Sequence, residues 1–167
     1  MVFKSNKGQS FIPIIVMILI VLLVFGLVNI VVGKAFNDVN DALMDDDSLS
    51  NRSKNVSNNL QEQYNGIMDG GFLMVLVLLF ILAMLAAYAS SSNPVFIVVA
   101  LVLMIILVVG GLLLSNVYEG VVEEGDFGDT ALEYPATDWI LSNYGVVSLI
   151  MVASMILTMY ISNRGAR

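Results

Sequence analysis

The side chains best equipped for chemistry in this sequence are carboxylates, and they arrive in clusters. Asp45, Asp46 and Asp47 are consecutive, and Glu119, Glu123, Glu124 and Asp126 fall within eight residues of one another. Clustered carboxylates are hard-oxygen ligands suited to calcium or magnesium. The spacing for an EF-hand fails, because Ser50 stands where the sixth-position glycine belongs and Val56 where the twelfth-position glutamate belongs. Both clusters therefore read as solvated acidic surfaces available to a partner, with no metal assigned. General acid–base work would need paired groups in perturbed surroundings. The chain contains no histidine and no cysteine, which removes the commonest general base, the thiol nucleophile, thiolate metal sites and disulfides. No catalytic residue and no cofactor site is expected, so the chain reads as non-enzymatic.

The elements that carry these carboxylates are set by four apolar runs, 11–32, 72–89, 94–114 and 140–161, none holding a charged residue. Each is about the length a helix needs to cross a hydrocarbon core of ~30 Å. With 58% hydrophobic residues and only 13% charged ones, this composition belongs to a membrane protein. Backbone N–H and C=O groups in lipid must be satisfied within the segment, so the runs must be helices. The expected fold is all-α: an integral membrane four-helix bundle with helical extensions on the outer side.

All fourteen acidic residues fall in two of the polar segments, 33–71 and 115–139. Four crossings put these on one side, with Lys34, Arg52 and Lys54, for a net charge of −11. The leader 1–10, the turn 90–93 and the tail 162–167 share the other side, where Lys4, Lys7, Arg164 and Arg167 give +4. Short loops rich in Lys and Arg stay cytoplasmic, which predicts termini inside and acidic segments outside. The first run, at 22 residues without a small-residue cleavage site, reads as a retained anchor.

Within 33–71, Phe36, Val39 and Leu43 recur at helical spacing, as do Val56, Leu60, Tyr64 and Ile67. This predicts a helical hairpin with an apolar seam and a turn somewhere in 45–55, where Asp, Ser and Asn compete with the helical backbone. By contrast, 115–139 is punctuated by Gly120, Gly125 and Gly128 and is expected to be irregular. Tyr118, Tyr134 and Trp139 bracket it and are expected to anchor at the headgroup level. Asn93 and Pro94 fit the cap and first position of a helix. Ala83, Ala87, Ser90, Gly111 and Ser115 are small residues suited to close helix packing. Asn29, Ser148, Ser154 and Thr158 fit interhelical hydrogen bonds. Asn51-Arg52-Ser53 and Asn55-Val56-Ser57 match the N-glycosylation acceptor pattern.

Two resemblances add to this reading. Lys7-Gly8-Gln9-Ser10 before a long apolar helix resembles the processing site of type IV pilin-like precursors, cleaved after the glycine, although Pro13 stands where those proteins carry glutamate. The stretches Ser92-Asn93-Pro94-Val95-Phe96-Ile97-Val98-Val99, Leu114-Ser115-Asn116-Val117-Tyr118-Glu119 and Tyr134-Pro135 resemble small multi-spanning membrane proteins of tailless, membrane-containing icosahedral viruses. That resemblance implies a structural protein of the internal virion membrane, touching capsid proteins or copies of itself. An accessory subunit of a cellular membrane enzyme or transport complex is the alternative, and a holin-like pore the third. The expected partners are lipid and other membrane or capsid proteins, with an acidic face suited to a basic surface; nucleic acid is not expected.

Overall fold

The computed structural model describes residues 11–89, 95–124 and 127–165. Six helices account for nearly all of them: α1 (Phe11–Asp45), α2 (Asn51–Ala89), α3 (Val95–Glu124), α4 (Gly128–Leu132), α5 (Pro135–Ser142) and α6 (Tyr144–Gly165). There is no strand among the described residues. Four of the helices are long and apolar enough to cross a membrane, so the chain is an all-α, four-helix membrane protein. Lys4, Lys7, Gly8, Ser90, Asn93, Asp126 and Arg167 lie outside the described residues, as does the turn 90–93.

Length shows where the helices go. At 1.5 Å per residue, α1 with 35 residues and α2 with 39 run about 52 and 58 Å, against a hydrocarbon core of ~30 Å. The excess lies beyond the apolar runs, at 33–45 and 51–71. Helix α3 likewise continues ten residues past its apolar run, and α4 and α5 follow at the same end. Both acidic segments thus gather at one end of the bundle, where α5 touches α1, α2 and α3.

The connection between α1 and α2 is tighter than 45–55. Only 46–50 are non-helical, because the residues that could break a helix are used to end one and start the next. The Asp46 side chain accepts from the Ser48 N–H at 2.8 Å, and the Ser50 hydroxyl accepts from the Ser53 N–H at 3.2 Å, the N-cap bond of α2. Lys54 donates its ammonium to the Met44 carbonyl, satisfying an orphan acceptor at the C-terminus of α1.

Two expectations about local structure are corrected. Segment 115–139 is mostly helical: α3 runs on through Gly120 to Glu124, and α4 and α5 are short helices. Pro135 occupies the first turn of α5, where its missing N–H costs nothing. The fourth apolar run is not one helix either. It breaks at Asn143, whose side chain donates to the Trp139 carbonyl at 2.9 Å, so its crossing helix begins at Tyr144.

In the membrane half, α3 lies along α6, and α2 packs against both α1 and α6. Small residues make this possible. A Cβ added to Gly111 would come within 2.9 Å of the Gly145 Cα, and one on Gly145 within 2.7 Å of a Leu112 methyl. Ala83 and Ala87 are fully buried, together with Leu22, Phe72, Val152 and Met155. The Ser115 hydroxyl donates to the Leu141 carbonyl at 3.2 Å and also reaches the Ser142 carbonyl, tying α3 to the end of α5. Asn29 donates to the Met68 carbonyl on α2 at 3.2 Å. Thr158 turns back to its own helix at the Ser154 carbonyl, 2.9 Å away, and reaches the Met84 sulfur on α2. The Ser148 hydroxyl and the Asn29 carbonyl oxygen are buried without a hydrogen-bond partner among the described residues.

Candidate functional site

The outer end of the bundle is built around amides. Between the extended parts of α1 and α2, Asn40 donates to Asn58 at 3.0 Å and to Gln61, and accepts from the Ser57 hydroxyl at 2.5 Å. Gln61 donates to Asn37 at 2.6 Å. From the expected seam, Phe36 and Tyr64 stack with centroids 4.8 Å apart. Val39, Leu43, Val56, Leu60 and Ile67 are exposed, at 39% to 71% of their free surface. The expectation of an apolar seam is therefore corrected: Asn37, Asn40, Ser57, Gln61 and Asn65 occupy the inner stripe, and the aliphatic rows lie on its flanks.

The segment between α4 and α5 locks onto this hairpin through three side chains. Asp69, at the foot of α2's outer extension, accepts from the Ala136 N–H at 3.0 Å and from the Thr137 N–H and hydroxyl, both at 2.8 Å. These are orphan donors of the first turn of α5, so a carboxylate from another helix caps it and complements its dipole. Glu133 Oε2 accepts from Asn37 at 2.8 Å and from Asn65 at 2.5 Å. Tyr134 donates to the Asn65 carbonyl oxygen at 2.6 Å.

Tyr134 is fully buried, and its ring lies against the α1 backbone at Gly33, where an added Cβ would come within 2.5 Å of it. Burial pushes its hydroxyl up to about 12, with Tyr64, Glu133 and Asp69 adding to the rise. Tyr118 is also buried and donates to Asp138 at 2.8 Å. Tyr118 and Tyr134, expected to anchor at the headgroup level, thus turn inward, with both hydroxyls partnered inside the protein. Trp139 is 57% exposed.

Asp45, Asp46 and Asp47 stand exposed at the tip of the hairpin, and Glu119 and Glu123 are exposed on the outer extension of α3. Glu124 ends α3. The Asp46 carboxyl is held below its ordinary pKa, chiefly by Ser48. The acids that organise the site are others: Asp69, Glu133 and Asp138. A legible signal existed for the partners of Glu133, since Asn37 and Asn65 belong to polar rows, 37 and 40 and 58, 61 and 65, that recur at helical spacing. Asn51 and Asn55 of the glycosylation triplets are exposed at the start of α2.

Between α2 and Glu133–Pro135 lies an open polar groove of about 630 Å³, lined by Asn58, Gln61, Glu62, Asn65, Asp69 and Glu133 among others. Among the described residues, no group of three or more His, Cys, Asp or Glu is placed to hold a metal ion. The arrangement can accept hydrogen bonds and repel anions.

Fold and site together define a four-helix membrane protein with a polar platform at one end. No family model, no curated protein and no solved structure matches the chain.

Proposed function

We propose that this chain is a structural, non-enzymatic protein of the internal membrane of an icosahedral virion. It packs in the lipid layer and contacts capsid subunits or like subunits through its acidic outer face. One observation carries the partner-binding part: Val39, Leu43, Val56, Leu60 and Ile67 are exposed on helices that extend beyond the apolar runs, in the same segment as Asp45, Asp46 and Asp47. Aliphatic side chains exposed in rows in water mark surfaces that another protein covers. The acids around them favour a basic surface on that partner and steer its approach. The virion setting rests on the resemblance of Ser92–Val99, Leu114–Glu119 and Tyr134-Pro135. The basic leader and tail favour an orientation with the termini on the cytoplasmic or interior side.

Particles purified under lipid-retaining conditions test the proposal. The chain is expected to remain with them at fixed stoichiometry and to be released by salt only after detergent removes the lipid. Loss from washed particles that keep their lipid would overturn it. Recovery with catalytic membrane subunits would assign the chain to a cellular complex instead.

A further inference from the structure

The polar groove does not end at the platform. Pro135 lines it and also lines an apolar groove of about 500 Å³ formed by Leu73, Leu76, Ala136, Trp139 and Ile140. Leu76 and Trp139 in turn line a further apolar groove of about 270 Å³, with Phe80, Val147 and Met151. The three form one track along the side of the bundle where α2 meets α5 and α6. On α2 its lining changes from Asp69 to Leu73, four residues or about 6 Å of helix. That change falls where the apolar run begins at Phe72, the depth at which a lipid changes from headgroup to acyl chain.

We propose that this track binds one phospholipid whose headgroup ends in a primary ammonium. The polar end supplies acceptors of the right kind. Glu62 is exposed, and Glu133 takes both of its amide donors on Oε2, so Oε1 remains for a ligand. The amide oxygens of Asn58 and Gln61 already accept from Asn40 and each keeps a second lone pair, and no Lys or Arg is among the lining residues. An ammonium brings charge and three N–H donors to this set, forming charge-assisted hydrogen bonds. A glycerol headgroup on phosphate brings net negative charge to a negative wall. A choline headgroup brings the positive charge without a donor. The acyl chain lies past Trp139, whose amphipathic ring suits that boundary.

The test uses the full chain in nanodiscs holding equal amounts of ethanolamine, choline and glycerol phospholipids with identical acyl chains. Lipid retained after mild detergent extraction is counted by native mass spectrometry. One ethanolamine lipid per chain is expected, about tenfold over the glycerol lipid, as one additional charge-assisted hydrogen bond provides. Glu62→Lys, at an exposed position outside the hydrogen-bonded core, is expected to cancel that preference while the thermal melt stays unchanged. Equal retention of the three lipids, preference for the glycerol lipid, choline lipid retained as well as ethanolamine lipid, or an unaltered preference in Glu62→Lys would each overturn the proposal.

Discussion

Helices α1 and α2 are each continuous from membrane to water, yet their two halves are joined to their neighbours by opposite means. In the membrane half, contact is made by Leu22, Phe72, Ala83 and Ala87, and α3 meets α6 where glycines leave room for backbone. In the outer half the seam is Asn37, Asn40, Ser57, Gln61 and Asn65, and large aliphatics stand outside it. The difference follows from solvent. Lipid gives no hydrophobic drive between helices, so close steric fit and dispersion must serve. At the outer end, Gly33 makes room for Tyr134, while amides satisfied by one another fix the register of the two helices and leave the apolar rows free for another surface.

The membrane half should break most severely by bulk. Gly111→Val or Gly145→Val pushes a side chain into backbone or Leu112, and is expected to cost about 3 kcal/mol in detergent denaturation. The outer half should break by loss of an acceptor. Asp69→Ala strands the Ala136 and Thr137 donors, with an expected cost of about 2 kcal/mol. Hydrogen exchange across 135–142 should then speed up by about tenfold or more, while exchange in the core of α6 stays slow.

A matched pair sharpens the contrast. Asn40→Leu leaves Asn58, Gln61 and Ser57 without their partner and should cost about 1.5 kcal/mol. The same change at Asn29 removes one 3.2 Å bond together with an oxygen that has no partner among the described residues, so chemical denaturation should show a neutral or stabilised protein. Equal losses at the two positions would erase the distinction between the halves.

Tyr134→Phe should cost about 1 kcal/mol near neutral pH. Its hydroxyl is raised from 10.0 to about 12 in the folded chain, so the neutral form is the one the fold favours. That contribution is fully present below pH 10 and is lost as pH rises toward 12. The gap between wild type and Tyr134→Phe in thermal melts should therefore close over that window. At the small end, replacing Asp45 and Asp47 by Asn should leave the melt unchanged, since both are exposed at the hairpin tip. Salt-sensitive binding to a basic partner should weaken, which binding assays at two ionic strengths would register.

Much of this architecture was legible because charge-free runs near 20 residues admit only helices in lipid. The outer extensions of α1 and α2 were legible too, through the helical spacing of Phe36 to Leu43 and Val56 to Ile67. Which stripe faced inward was not. Apolar periodicity marks a helix, but the rows at 37 and 40 and at 58, 61 and 65 competed for the same interface, and paired amides won it. Nor could single-chain spacing pair Asp69 with Thr137 or Glu133 with Asn37, because those bonds cross 68 and 96 residues. The glycines of 115–139 suggested irregular chain, whereas Gly120 sits inside α3 and Gly128 begins α4.

The joining of the two acidic segments into one platform on one side of the membrane is the claim on which the proposed function depends. Because the chain has no cysteine, single substitutions Asp47→Cys, Glu123→Cys and Arg167→Cys can each report a side through labelling by a membrane-impermeant maleimide in sealed vesicles. Positions 47 and 123 are predicted to label from the same side and 167 from the opposite one. Labelling of 47 and 123 from opposite sides would contradict the account.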